Sequence, residues 1–185
     1  IDNEFTVAAS DGSLLTYLRV DGSRQIIGEE EYNFLVEAAT LKLGAKFDRP
    51  GHAMQVYFSR DPGRIRTHLD NLNRPVFATA HNIGLELTDL IEEKVKNLST
   101  ILSHEECYFV LWTRPVAMTK SELERVQKDK TDQNKKWVNA PYGQNPLAGI
   151  EILRTRHRSY VTAIQQALNE LGIRAEMMEV HDALR

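Results

Sequence analysis

Apolar positions along this chain fall into short β-type runs and into longer stretches with a three-to-four-residue rhythm, the signatures of strands and of amphipathic helices. Phe5–Ala9 and Leu14–Val20 are β-type runs joined through Asp11-Gly12, a turn signal because the glycine accepts positive φ. A second Asp-Gly, Asp21-Gly22, is expected to end the second strand. A helix is expected over Glu29 to Leu43: three glutamates open it against the positive end of the helix dipole, and Gly44 is suited to end it. Its predicted apolar stripe is Phe34, Leu35, Ala38, Leu41 and Ala39. Ala53–Ser59, rich in β-formers, reads as a strand.

Asp61 and Pro62 then suit the cap and first position of a further helix. That helix is expected to stop near Leu72, because Pro75 restricts the residue before it. Val76–Leu102 reads as a long helix of about 40 Å, either broken near Gly84 or projecting past the core. Cys107–Thr113 is apolar on both faces, as in a central strand covered by helices on each side. Ser121 with Glu124 forms a capping box for a polar helix, whose pattern dissolves in Lys128–Lys136. That stretch, with Asn139–Pro146, is expected to be a mobile excursion. A helix over Leu147–Leu171 follows, with Ile150, Leu153, Val161, Ile164, Leu168 and Leu171 as its seam. Ile173–Met178 is expected as a final strand.

The element order implies an α/β (α+β) fold: a mixed central sheet of about five strands covered by helices, with a β-hairpin at the N-terminus. All 185 residues fit one domain. The chain begins at Ile1 and ends in what reads as the first turns of a helix. Both features suggest the N-terminal fragment of a larger protein.

Composition narrows the function classes. The apolar share of 42% and charged share of 26% are those of a globular chain. A net charge of −3 gives no general attraction to nucleic acid or to an anionic membrane. The longest apolar run is far short of a membrane span, and no signal peptide is visible. A single cysteine, Cys107, excludes a disulfide within the chain and favours a reducing compartment; it reads as a buried small hydrophobe.

No complete catalytic motif is present. None of the ten glycines precedes a lysine, so a phosphate-binding P-loop is missing. No two of the six histidines stand at the spacing of H-E-x-x-H, and one cysteine cannot build a thiolate zinc cage. His157, near the seam of the last helix, reads as a core or boundary histidine satisfied by a hydrogen bond, with a functional role as the alternative. Arg60 is expected to pair with Asp61 or Glu106 as a structural clamp. No catalytic, cofactor or metal residue is therefore assigned, and no cofactor is expected.

Two basic clusters are the candidates for partner binding: Arg154 and Arg158, one turn apart with Arg156 between them, and Lys128, Lys130, Lys135 and Lys136. One reading makes them a solvated helix face and a solvated loop. The other makes them an electrostatic handle for an acidic partner or lipid headgroups. Aromatic residues are not interleaved with them as a nucleic-acid platform requires.

The segments FTVAASDGSLLTYLRVDGSRQIIGEEEYNFLVEAATLKL, HAMQVYFSRDPGR and ALNELGIRAEMMEVHDALR together resemble the amino-terminal domain of the VirB-type ATPases of type IV secretion and conjugation, with the nearest likeness to the TraC/DotO/IcmB-like members of Dot/Icm-type systems. The family pattern is a hairpin with the dGs turn, a helix, a strand ending in arginine, and a late amphipathic segment before the motor. The Lys128–Lys136 stretch has no counterpart in it. The resemblance implies a non-catalytic, cytoplasmic domain peripheral to the bacterial inner membrane. Such a domain helps the ATPase oligomerise and contacts the inner-membrane secretion components, while the Walker motifs lie further along the parent chain.

Three functions follow as expectations. The first is this assembly and docking domain, binding itself and membrane-complex proteins but no small-molecule substrate and no nucleic acid, with Val76–Leu102 as its first candidate surface. The second is a small enzyme whose site is assembled from His52, Arg60 and His81. The third is a nucleic-acid-binding module acting through Arg154 and Arg158.

Overall fold

A computed structural model describes residues 2–48, 50–136 and 150–184, the side chains of 130 and 133–136 excepted. The elements follow the expected order: strand β1 (Thr6–Ala8), β2 (Leu14–Ser23), helix α1 (Glu29–Gly44), β3 (His52–Asp61), α2 (Ile65–Asn82), α3 (Thr88–Ile101), β4 (His104–Thr113), α4 (Lys120–Lys136), α5 (Glu151–Glu170), β5 (Ile173–Met177) and the short α6 (Val180–Ala183). The chain forms two compact units, one of Ile1–Tyr57 with Cys107–Arg185 and one of Phe58–Glu106. It passes between them within β3 and β4.

The expected α/β architecture is present, with five strands and the N-terminal hairpin. Strand direction differs in one detail from the mixed sheet expected: β2 pairs antiparallel with β1, β4 and β5. The order is β1-β2-β4-β3, and β5 lies against the second half of β2, beyond the end of β1. The hairpin turn is built as its residues dictate. Gly12 takes φ +82°, and the Asp11 carboxylate accepts from both Ser13 N and Ser13 Oγ at 2.9 Å, which holds its pKa below the usual value. Asp21-Gly22 does not end β2. Gly22, at φ +94°, instead absorbs a register shift and the strand runs on to Ser23 against β5.

One core of the first unit forms where β2, β4 and β5 meet α5: Leu18, Leu111 and Ala175 lie against Tyr160, Val161, Ile164 and Leu168. Leu43 at the end of α1 and Phe47 pack onto its margin. A second cluster joins Leu14, Met118, Ile150 and Leu153, with Val126 of α4 against it. The seam predicted for the last helix is thus a core seam, and Gly172 ends the helix at φ +71°.

The predicted stripe of α1 does not all turn inward. Leu35, Ala38 and Ala39 are half-buried, whereas Phe34 and Leu41 are 73% and 76% exposed, and no residue of the helix is fully buried. The helix starts with Glu31 Oε2 accepting from Gly28 N at 3.1 Å. For α4 the cap lies two residues before the expected Ser121/Glu124: Thr119 and Glu122 bond reciprocally, with Glu122 Oε2 accepting from Thr119 N at 2.7 Å. The backbone stays helical through Lys136, so Lys128–Lys136 is not the excursion expected; Asn139–Pro146 lies outside the described residues.

In the second unit α2 runs straight through Pro75, against the expected stop near Leu72. Ile65 and Leu69 before the proline and Phe77 after it pack on Leu87, Ile91, Val95 and Leu98, and this shared core outweighs the roughly 3 kcal/mol cost of an interior proline. Of the two alternatives for Val76–Leu102, the break near Gly84 is the one realised. Gly84 sits at φ +71° between α2 and α3. Asp61 caps as expected, accepting from Gly63 N at 2.8 Å.

Ile164 is wholly buried and Phe34 is not, which fixes a comparison. Ile164→Ala should destabilise the first unit by about 2–5 kcal/mol, while Phe34→Ala stays within about 0.5 kcal/mol. Urea unfolding followed by circular dichroism measures both, and a near-neutral Ile164→Ala would refute this account of the core.

Candidate functional site

Two strands each carry a hydroxyl into the core: Thr16 within Leu14–Leu18 and Thr113 at the end of β4. A buried hydroxyl needs a partner. His157, 3% exposed on the inner face of α5, supplies one to each strand. Its Nε2 lies 2.9 Å from Thr16 Oγ1 and its Nδ1 2.9 Å from Thr113 Oγ1. The chain continues from Thr16 to Thr6 Oγ1 at 3.2 Å on β1, and from Thr113 to His52 Nδ1 at 3.2 Å on β3. The His52 ring stacks on Tyr160 at 4.3 Å, and the Tyr160 hydroxyl donates to Ala53 O at 3.1 Å. Burial raises the Tyr160 pKa, keeping the hydroxyl protonated.

A neutral imidazole offers one N–H and one lone pair, and hydroxyls rotate to meet either. The neutral ring is therefore satisfied by the two threonine hydroxyls. Burial, followed by the neighbouring His52, pushes the His157 pKa down to about 4. With both nitrogens committed to threonines, His157 holds the sheet to α5 and has no free nitrogen for proton transfer to an outside group.

Above His157 lies a cleft of about 690 Å³ between the N-terminal segment and α5, lined among others by Asp2, Thr6, Thr16, Arg154 and Arg158. Its charges are largely spent internally. The Asp2 carboxylate, 1% exposed, accepts from Arg154 Nε at 2.9 Å on both oxygens, and Glu151 holds the far side of the same guanidinium. Asp2 first, then Glu151, raises the Arg154 pKa. Arg154 thus pins the chain's first residues onto α5.

Arg156, on a neighbouring face, grips Glu122 at 2.7 and 2.8 Å and ties α4 to α5. This pair, with the Thr119 cap, lowers the Glu122 pKa to about 2. Arg158 is exposed at the cleft and has no partner among the described residues. Lys128 is exposed on α4; the side chains of Lys130, Lys135 and Lys136 lie outside the described residues.

Comparison with protein-family models, with curated proteins and with solved structures finds no match.

The three residues of the enzyme reading do not form one group within either unit. His52 belongs to the sheet network of the first unit. Arg60 and His81 belong to the second, where Arg60 pairs with Glu105 at 3.6 Å, one residue short of the Glu106 expected, and His81 is exposed on α2. Glu106 takes Arg64 at 3.5 Å instead. The nearest approach to a donor set is His68 against His104, ring centroids 4.8 Å apart, with His104 Nε2 3.3 Å from Glu106. Among the described residues no group of three or more His, Cys, Asp or Glu is placed to hold a metal ion. Cys107 is half-buried rather than fully enclosed, and desolvation raises its thiol pKa.

Thr6, Thr16, Thr113 and Asp2 were not singled out by sequence reasoning. A signal existed for the threonines, since a lone hydroxyl at an inward strand position demands a partner. Asp2 gives none, because its role depends on where α5 returns in space.

An unfolded histidine takes a proton near pH 6.5, but folded His157 resists until about 4. Stability is therefore complete above pH 6.5 and falls as pH drops to 4, by about 3 kcal/mol. Chemical denaturation across that window should show the slope, and His157→Gln should flatten it; an unchanged slope would count against the network. The contribution of Glu122 is present above pH 4.5 and is lost as pH falls toward 2, below the histidine window. Arg154→Ala should cost about 1–3 kcal/mol by leaving Asp2 buried and unpaired, and Arg158→Ala within about 0.5 kcal/mol. Equal thermal shifts for the two would refute the assignment of Arg154 as the clamp.

Proposed function

We propose that this chain is a non-catalytic assembly and docking domain, of the kind found at the amino terminus of type IV secretion and conjugation ATPases. Its place is the cytoplasm beside a bacterial inner membrane, in contact with further copies and with inner-membrane secretion components. The observation that carries the reading is the amount of large apolar side chain left in water on helices. Phe34 and Leu41 are exposed on α1, Leu72 and Val76 on α2, Leu90 and Ile101 on α3. Single exposed apolar residues need no explanation, but runs of them along helices are a mark of association surfaces. The long helix expected as the first docking surface is two helices, and the exposed apolar positions are spread over both.

Other observations support the same reading. Arg154 and Arg156 are each held by carboxylates, so the arginine cluster presents one cation, Arg158, to an outside partner. That weakens the nucleic-acid alternative, which needs a stripe of free cations. Neither unit holds His52, Arg60 and His81 together, so the enzyme alternative gains no support from either. No helix among the described residues is long and apolar enough to cross a membrane, so membrane contact would be peripheral or through partners.

The test is the mass of the full 185-residue chain by light scattering across a wide concentration range, with ATP and magnesium turnover measured on the same sample. Concentration-dependent self-association without turnover is the expected result, as is co-purification with inner-membrane secretion components. A chain that stays monomeric and retrieves none of them, or one that hydrolyses ATP, overturns the proposal.

A further inference from the structure

The cleft between the N-terminal segment and α5 lies wholly within the first unit, and its volume of about 690 Å³ is that of a site for a small organic molecule. Most of its polar groups are already engaged. Asp2 and Glu151 hold Arg154, and Asn3 donates to Asp2 and accepts from Phe5 N. The hydroxyls of Thr155 and Ser159 each donate to the carbonyl one turn back, at 3.1 and 3.0 Å. Two donors on the same wall have no partner among the described residues: the guanidinium of Arg158 and the hydroxyl of Thr162, both exposed. They stand four residues apart on α5, which sets them one above the other on a single face of the helix, roughly 5–6 Å between Cβ atoms.

A guanidinium with a free hydroxyl one turn away is a pair of donors suited to a carboxylate, which a guanidinium takes through two parallel bonds. The charge of the cleft narrows the choice of anion. Its lining holds three carboxylates, Asp2, Glu4 and Glu151, against two guanidiniums, Arg154 and Arg158. A dianion such as phosphate therefore enters a lining already one negative charge in excess, whereas a carboxylate brings one charge and meets it on Arg158. Glu4, exposed at the same cleft, adds repulsion to any second negative charge. The lining is apolar elsewhere: Phe5 is half-buried and Met177 is 40% exposed, so both keep surface for a ligand to cover. A molecule with one carboxylate and a compact apolar body matches both halves.

We propose that this cleft binds a monocarboxylate, its charged end on Arg158 and Thr162 and its apolar body against Phe5 and Met177. The site goes beyond the assembly reading and does not depend on it. A free small acid and the C-terminal end of a partner's chain carry the same chemistry, and different probes separate the two.

Phenylacetate is the small-acid probe and phenylacetamide its uncharged counterpart, each titrated into the full 185-residue chain with backbone amide NMR shifts as the readout. Phenylacetate should give saturable shifts at Phe5, Arg158 and Thr162, and phenylacetamide should bind at least about tenfold more weakly. Arg158→Ala should weaken phenylacetate at least about tenfold and Thr162→Val about threefold. Lys128→Ala, a cation on another helix, should leave it unchanged. Because Arg158 has no partner in the fold, circular dichroism and thermal unfolding of Arg158→Ala stay as in the parent, so its loss of binding reads the site. Inorganic phosphate should bind more weakly than phenylacetate. A short peptide ending in phenylalanine, set beside its C-terminal amide, identifies the source: tighter binding than phenylacetate assigns the cleft to a partner's chain end, and weaker binding to a free acid. No saturable shift from either carboxylate up to roughly 10 mM overturns the proposal. So does equal binding of acid and amide, tighter binding of phosphate, or unchanged binding by Arg158→Ala.

Discussion

A single imidazole ring governs how the first unit is put together. Two strands bring threonine hydroxyls into an apolar interior, and α5 brings His157 to the point between them, 2.9 Å from each. The apolar contacts of α5 with the sheet are non-directional: Val161, Ile164 and Leu168 against Leu18 and Leu111 would tolerate some sliding. The two histidine bonds do not, since a shift of one residue along the helix would separate both ring nitrogens from the threonines that meet them. The network reaches β1 through Thr6 and β3 through His52, so one side chain links four strands and a helix.

That constraint also accounts for what the polar residues near the cleft do. Once α5 is fixed, Arg154 meets Asp2 and Arg156 meets Glu122, and each arginine fastens a segment that carries few core contacts of its own. The cleft between the N-terminal segment and α5 is thus lined by Arg154 paired with Asp2 and Glu151, and by an imidazole with both nitrogens engaged. Such a site holds the fold together.

The second unit has its own small core, yet leaves leucine, valine and isoleucine side chains in water on both of its helices. In the first unit, α1 has no fully buried residue and leaves Phe34 and Leu41 in water. An intramolecular core and an intermolecular seam use the same residue types and the same periodicity, because both answer to the same need to remove apolar surface from water. Periodicity alone cannot distinguish them.

That limit separates what the sequence by itself determined from what tertiary structure decided. Element order, the Asp11-Gly12 turn, the core seam of α5 and the ends of helices at Gly84 and Gly172 were legible, because each depends on local backbone preference or on a one-dimensional rhythm. The continuation of α2 through Pro75, the helical course of Lys128–Lys136 and the run of β2 past Asp21-Gly22 were not. In α2 and β2 a long-range partner, a facing helix or β5, outweighs a local signal worth a few kcal/mol. For the course of α4 beyond Val126 the described contacts offer no equivalent partner. The pairing of Arg154 with Asp2 and of His157 with two threonines lay furthest from view. Contacts between residues 44 to 152 positions apart exist only once the chain has closed on itself, and no local spacing records them.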